Sequence, residues 1–301
     1  AAANTVRFTT SSPGVSAACD WVTIYSQTEQ LKPSSIDLRV VSEPRSKGDE
    51  AERSGPSIAT IRGTTGNVEA LWLDIAAALR QLPADPARST DELALQLDGQ
   101  DLPLVKPMPA SASLFLSRAG GSWSIVPQPP DSQKNPRRSG LFKSAFTNNV
   151  VLVVGTIGTD DENAWALAKA RLDSETFWYR GNGRLRIVTD AEATTNSALA
   201  HCNLVLYGNS DTNSAWKTLL GDSPIQVSRG VLTAGQRRMS GEDMACLFIR
   251  PRSGDQVACV GAISGTGMTG FRLAGQVPYF VSGVGVPDWI VVGSEAMKTG
   301  V

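Results

Sequence analysis

Histidine is almost missing from this sequence, and cysteine is sparse. One histidine and four cysteines occur among 301 residues, and no two cysteines have CxxC spacing. A zinc site needs three or four clustered sulfur or nitrogen ligands, so the sequence predicts no metal site. Buried free thiols are expected, and one disulfide among Cys202, Cys246 and Cys259 is the open alternative.

Excess charge and long apolar runs are also missing. The formal net charge of −1 gives no electrostatic reason to expect nucleic acid or an anionic membrane as a partner. No apolar stretch approaches the roughly 18 residues that a membrane-spanning helix needs, so no membrane span is expected. With 41% hydrophobic and 19% charged residues, the composition is typical of a globular protein. The length of 301 residues is sufficient for two domains. The start AAANTV, without a signal-peptide pattern, is expected of a mature or excised segment.

Short segments of alternating polarity fill residues 1–126 and predict an antiparallel β-sandwich. The polar stretch 42–56 is predicted to be a mobile loop. The segments, bounded by Gly, Pro, Asn, Asp or Ser, are NTVRFTT, CDWVTIYSQ, SSIDLRVV, SIATIRGTT, NVEALWLDI, ELALQLDG, DLPLVKP and the hairpin SLFLSRAGGSWSIV.

The pattern changes after VPQPPDSQKNPRRSG, whose four prolines predict a linker at 127–140. The continuous apolar run NNVVLVVG is typical of a strand covered on both faces. A long helix and further strands follow it, among them RLRIVT, NLVLYG, ACLFIRP, VACVGAIS and DWIVVG. Residues 141–301 are therefore predicted to form a doubly wound, flavodoxin-like α/β domain.

The long helix TDDENAWALAKARLDSETFWYRGNG carries signals at both ends. Thr159 and Glu162 predict a capping box, and Gly181 predicts a left-handed stop. One stripe of the helix is expected to face the core, and it consists of Ala164, Ala168, Leu172, Glu175 and Trp178.

The stretch SGTGMTG has the G-x-G-x-x-G spacing of a dinucleotide site at Gly265, Gly267 and Gly270. A binding fingerprint opens a helix and reaches an acid at the end of the next strand. Here a short helix at most is expected over 271–277, and Asp288 precedes the strand WIVVG. The three glycines are the only cofactor-site candidates, a structural turn is the main interpretation, and no cofactor is predicted.

Two other loops suggest chemistry that the surrounding residues argue against. GTIGTDDENAW (155–165) follows a strand as a phosphate loop would, but three carboxylates occupy the first helical turn. Ser210 in YGNSDTN resembles a nucleophile elbow, but His201 begins the strand that Ser210 follows, so the two cannot meet. No catalytic residue is predicted. A solvated surface is expected for the acids at loop ends, which are Asp190, Asp211, Asp222 and Asp288.

Several long phrases resemble the C-terminal region of large bacterial α/β-hydrolase-fold proteins, prolyl-oligopeptidase-like or esterase-like. They are PRRSGLFKSAFTNNVVLVVGTIGTDDENAWALAKARLDSETFWYRGNG, VLYGNSDTNSAWKTLLGDSPIQV, GEDMACLFIRPR, PYFVSGVGVPDWIV and FTTSSPGVSAACDWVTIYSQ, while 42–56 resembles an insertion. In such proteins the catalytic residues belong to an upstream hydrolase domain, and no position here matches them. The resemblance implies an exported, extracytoplasmic protein whose partner is that domain, in the same precursor or as a separate chain.

The predicted function is therefore a non-catalytic accessory region of a serine esterase or peptidase. Its role would be substrate positioning, polymer binding or oligomerisation, and the edge of the hairpin IQVSRGVLTAG slightly favours a homo-oligomer. The alternative is an independent nucleotide- or small-ligand-binding α/β enzyme that uses the glycine loop at 264–270.

Overall fold

The computed structural model describes residues 4–44, 57–85, 92–106, 113–130, 132–138 and 140–296. It shows a mixed α/β protein dominated by sheets, with 38% strand and 21% helix. The chain divides into two compact units, Ala1–Pro130 and Asp131–Val301. The division falls inside the proline-rich segment that follows residue 126.

The first unit is built almost entirely from strands. Its described elements are β1 (Thr5–Thr10), β2 (Ala18–Cys19), β3 (Val22–Ser26), β4 (Ser34–Pro44), β5 (Ser57–Gly66), β6 (Ala70–Asp74), α1 (Ile75–Leu79), β7 (Leu93–Leu97), β8 (Gln100–Asp101), β9 (Ser113–Ala119) and β10 (Ser122–Val126). In the described residues they form two five-stranded sheets, in the orders β1-β4-β5-β7-β8 and β10-β9-β6-β3-β2.

Both sheets contribute side chains to a single core. Ile36, Leu38 and Val40 of β4 belong to the same buried cluster as Val22 and Ile24 of β3. The alternation in the sequence places these residues on one face of each strand, because successive side chains of a strand point to opposite faces.

The β9–β10 hairpin confirms the turn predicted from RAGGS. Gly120 and Gly121 occupy the turn with φ angles of 59° and 89°. Two successive positive φ angles suit the right-handed twist of a two-residue hairpin, and glycine adopts them without steric cost.

The sheet pairing of the first unit differs from the prediction in one respect. β5 and β7 are parallel, whereas an antiparallel arrangement was expected throughout. The chain passes from β5 to β6 in the other sheet and then returns to β7. Two changes of direction therefore leave β5 and β7 with the same orientation.

Two segments of the first unit that were predicted to be strands are strands only in part. The end of NVEALWLDI leads into helix α1, because the Asp74 side chain accepts a hydrogen bond from Ala77 N and caps the alanine-rich turn. Of DLPLVKP, the described residues 101–106 contribute the end of β8 and one isolated bridge at Val105. The predicted loop at 42–56 begins later than expected, since β4 continues to Pro44; residues 45–56 lie outside the described residues.

The second unit alternates strands and helices. Its described elements are β11 (Val150–Val154), α2 (Asp160–Gly181), β12 (Arg186–Thr189), α3 (Asp190–Thr195), β13 (Asn203–Tyr207), α4 (Trp216–Leu220), β14 (Ile225–Ser228), β15 (Val231–Ala234), β16 (Arg237–Ser240), β17 (Ala245–Pro251), β18 (Cys259–Gly265), α5 (Met268–Ala274) and β19 (Trp289–Val292), with 3-10 helices at Pro136–Arg138, Phe142–Phe146 and Ser197–Leu199.

The central sheet of this unit has the order β12-β11-β13-β18-β17-β19 over the described residues. β12, β11, β13 and β18 are parallel, and β17 runs antiparallel to both of its neighbours. All five residues of β11 are buried, as its apolar run predicted. The chain leaves β11 for β12 on one side and returns to β13 on the other. In open α/β sheets such a reversal is the usual place of a ligand crevice, at the carboxyl ends of the two strands.

Helix α2 begins as predicted, with a capping box between Thr159 and Glu162. It ends at Asn182, whose φ of 50° supplies the left-handed cap, whereas Gly181 is still helical. The stripe from Ala164 to Trp178 was expected in the core, and the structure exposes it. The buried side instead holds the small residues Ala166 and Ala170 together with three charged residues.

A buried polar cluster explains this reversal. Lys169 Nζ lies 2.7 Å from Asp173 Oδ1, and both side chains are almost fully buried. The hydroxyl groups of Tyr207 on β13 and Tyr279 donate hydrogen bonds to Asp173 Oδ2 at 2.7 Å and 2.5 Å. Partners from distant parts of the chain therefore satisfy charges that would otherwise exclude this side of the helix from the core.

Residues 132–138 of the predicted linker pack into the second unit. Arg138 is buried, and its guanidinium donates hydrogen bonds to the carbonyl groups of Gln133 and Ala258 at 3.1 Å and 3.3 Å. Asn135 Nδ2 donates to the Gln256 carbonyl at 2.9 Å. Some polar side chains of this stretch therefore form hydrogen bonds within the second unit, and others are exposed to solvent.

Candidate functional site

The glycine loop lies between β18 and α5, at the carboxyl edge of the parallel strands. Gly265 ends β18 and α5 begins at Met268, so the helix starts three residues earlier than the predicted 271–277. The loop therefore has the strand–loop–helix context of a fingerprint. Asp288 does not complete it, because this acid precedes β19 and lies at the opposite edge, in an ion pair with Lys134.

Close contacts within the protein account for all three glycines. An added Cβ would lie 2.4 Å from the Phe271 nitrogen at Gly265, 2.8 Å from the Glu242 oxygen at Gly267 and 2.2 Å from the Met244 oxygen at Gly270. Contacts this short leave no room for a side chain. The glycines allow α5 to pack against the backbone that leads into β17.

The other loops predicted as candidates meet at the same edge. Asn209 Nδ2 donates to the Gly265 carbonyl at 2.9 Å, which joins the loop after β13 to the glycine loop. Gly230 N, at the turn of the β14–β15 hairpin, donates to the Thr266 carbonyl at 2.7 Å. The carboxyl edge is thus closed by hydrogen bonds between its own loops.

Asp190 corrects the prediction that the loop-end acids are solvated, because it is fully buried. Its carboxylate accepts hydrogen bonds from Thr156 Oγ1 at 2.7 Å and from Ser214 N at 2.6 Å. Burial acts to raise the pKa of Asp190, but the bonds from Thr156 and Ser214 outweigh it and leave the pKa below its ordinary value. The aspartate joins the ends of β11, β12 and β13.

A second carboxylate is held by an arginine that the sequence did not indicate. Arg229 Nε and Nη2 donate to Glu162 at 3.0 Å and 2.6 Å, and the Glu162 side chain is only 6% exposed. These hydrogen bonds, against the opposing effect of burial, lower the pKa of Glu162 to about 2. Sixty-seven residues separate the partners, so no local pattern could reveal the pair.

The remaining polar candidates stay apart. His201 lies before β13 and bonds Asp255 through Nδ1 at 2.7 Å, whereas Ser210 follows β13 at its other end. Asp222 follows α4 as an exposed residue, and Asp211 accepts a hydrogen bond from Arg229 N at 2.8 Å. The structure brings Asp190 and Asp211 to the carboxyl edge and leaves His201 at the opposite edge.

The two carboxylates held at the carboxyl edge are both stabilised in their ionised form. A general base works best when its pKa lies near the working pH. The pKa values of Asp190 and Glu162 are both lowered, so each carboxylate stays ionised and bound to its donors at neutral pH.

The cysteines are free thiols, so the alternative of one disulfide is not realised. Burial raises the pKa of Cys246 to about 12, which keeps this thiol protonated. Within the described ranges, no group of three His, Cys, Asp or Glu side chains could hold a metal ion. None of the helices in the described part of the chain combines the length and apolarity needed to cross a bilayer.

The outer face of α2 is a second candidate site, of a different kind. We use this name for the side of the helix formed by Leu172, Trp178 and Tyr179, which are 54%, 63% and 83% exposed. At about 100° per residue the three side chains lie in a sector centred opposite the buried side of the helix, with Trp178 farthest from Lys169 and Asp173 and Leu172 at the border of the buried side. The helix therefore presents large apolar groups to solvent and holds an ion pair inside.

Comparison with known proteins adds no relative: no protein-family model matches the chain, and no curated protein matches it in a sequence search.

Proposed function

We propose that this chain is a non-catalytic accessory region that docks through the outer face of α2. The observation that carries the proposal is the exposure of Leu172, Trp178 and Tyr179 on a helix whose other side buries an ion pair. Exposed clusters of large apolar side chains commonly mark protein interaction sites. Tyr and Trp are also the residues that contribute most at such interfaces.

The proposed partner is the α/β-hydrolase catalytic domain of an exported esterase or peptidase, in the same precursor or as a separate chain. This partner, and an extracytoplasmic location, rest on the resemblance of the long sequence phrases. The lowered pKa values of Asp190 and Glu162 support a role without proton transfer. We further propose a β-sandwich followed by a flavodoxin-like domain. The shared core of two sheets and the parallel order β12-β11-β13-β18 support this arrangement.

Oligomerisation is also better supported at the outer face of α2 than at the hairpin. β15 is paired on both sides, with β14 and with β16. On the outer side of β14 the Val227 carbonyl already accepts a hydrogen bond from Ser210 N at 2.9 Å. The outer strand β16 carries Arg237 and Arg238, and charged side chains on an edge strand oppose pairing with another sheet.

Light scattering and intact mass spectrometry of native source material test the proposal. A covalent or co-eluting hydrolase domain, or a second copy of the chain, is expected. Where the partner is a separate chain, the double variant Trp178→Ser, Tyr179→Ser should release it. Leu31→Ser is the matched control, since Leu31 is an exposed apolar residue of the first unit. A monodisperse 31.9 kDa species in native material, unchanged by the double variant, would overturn the proposal.

The alternative function, nucleotide or small-ligand binding at 264–270, has two observations in its favour. The loop joins a strand to a helix, and Ser264 Oγ beside it is buried with no hydrogen-bond partner in the part of the chain that the structure describes. Titration with NAD(P)H and ATP, followed by melting temperature, decides the matter. The accessory role predicts no change, whereas micromolar binding lost in Gly267→Val would support the alternative.

A further inference from the structure

A cleft of about 760 Å³ opens in the second unit, at the edge of the sheet opposite to the carboxyl edge. Its walls are residues 132–134, the β15–β16 turn, the end of β17 and the start of β19. The volume falls within the roughly 300–1,000 Å³ that is usual for small-molecule sites.

Most of the wall is apolar. Ile225, Ala234, Ile249 and Pro251 line it, and the Trp289 side chain, 46% exposed, forms part of the lip. A flat apolar ligand could therefore bury one face against these groups and stack against an indole.

Two arginines supply the charge of the cleft. Arg237 and Arg250 line it, and within the described residues neither takes part in an ion pair or a side-chain hydrogen bond. Trp289 lies opposite Phe248 on β17, and Arg250 is two residues further along the same strand. Side chains two residues apart share a face of a strand, so Arg250 and Trp289 lie on the same side of the sheet. The Lys134–Asp288 ion pair adds no net charge.

We propose that this cleft binds a small aryl carboxylate. The ring lies against Trp289 and the aliphatic wall, and Arg237 and Arg250 hold the carboxylate, since guanidinium groups match carboxylate geometry. A neutral sugar would leave the positive charge of both arginines unpaired. An inorganic anion would leave the apolar surface unused. This site goes beyond the accessory role and does not depend on the outer face of α2.

Calorimetric titration of the whole chain with three probes tests the proposal. We expect 2-naphthoate to bind, 2-naphthamide, which has the same ring without the charge, to bind at least about tenfold more weakly, and acetate to show no measurable binding. Arg237→Gln and Arg250→Gln should each weaken 2-naphthoate binding about tenfold, as the loss of a hydrogen bond to a charged group does. Trp289→Leu should weaken both aromatic probes.

Arg238→Gln is the matched control, because Arg238 belongs to the same strand as Arg237 but does not line the cleft. Equal binding of acid and amide, equal effects of Arg238→Gln and Arg237→Gln, or no binding of 2-naphthoate at millimolar concentration would each overturn the proposal. The Trp178→Ser, Tyr179→Ser variant should keep its affinity for 2-naphthoate, so failure of the docking proposal and failure of this one are distinguishable.

Discussion

Asp190 shows how strongly a few hydrogen bonds determine the place of a single residue. An aspartate at the end of a strand ordinarily remains hydrated, because burial of a carboxylate without partners is very costly. Here donors from two other loops, Thr156 and Ser214, replace the water. The cost of burial is offset only when all these segments are folded together.

Asp190→Asn should destabilise the protein by about 3 kcal/mol, because one carboxylate oxygen becomes an amide that cannot accept the same hydrogen bonds. The change is measured as the free energy of unfolding in urea. The exposed Asp222→Asn serves as the control and should change stability by less than about 0.5 kcal/mol. Equal effects of the two variants would show that the Asp190 bonds contribute nothing.

Glu162 should make stability depend on pH under acidic conditions. Its pKa is about 2 in the folded protein against an ordinary value of 4.5. A lowered folded pKa contributes stability that is present above pH 4.5 and is lost as the pH falls towards 2. Glu162→Gln should therefore lose less stability than the unmodified protein over this window. Glu175→Gln, an exposed change on the same helix, should follow the unmodified curve.

At the scale of the element, the sequence of α2 specifies where the helix begins. It does not specify which side of the helix faces the core. The capping box depends on residues three apart, Thr159 and Glu162, and forms as expected. The side that faces the core depends on Tyr207 and Tyr279, which lie far along the chain.

Thr159→Ala should cost about 1 kcal/mol, because the Thr159 side chain accepts a hydrogen bond from Glu162 N at the start of the helix. Thr176→Ala is the control within the same helix. Thr176 Oγ1 donates to the Leu172 carbonyl of its own helix, and alanine favours the helix, so this change should be neutral or slightly stabilising. Denaturant unfolding distinguishes the two. Indistinguishable variants would mean that the cap does not stabilise α2.

At the scale of the whole molecule, the proline-rich segment contains two different parts. Residues 132–138 are tied to the second unit through Arg138 and Asn135, and the division between the units precedes them. Polar composition alone therefore does not mark a free linker.

Limited proteolysis should cut within 126–131 before it cuts within 132–138, since bound backbone resists a protease until it opens. Mass spectrometry of the first fragments locates the cut. Arg138→Gln should expose the later stretch to early cleavage, because its carbonyl partners lose their donors. First cuts inside α2 in the unmodified protein would contradict the division into two units.

The local sequence by itself determined those elements that depend on interactions between residues close together in the chain. The alternation in β3 and β4, the glycine turn of β9–β10, the apolar run of β11 and the start of α2 all follow from neighbours within a few residues. Only the tertiary structure decided which charged side chains are buried. Asp190, Glu162 and the Lys169–Asp173 pair lie in the interior because residues distant in the chain bind them there. The exposed outer face of α2 follows from the same cause, since one side of a helix can face the core only when the other faces away.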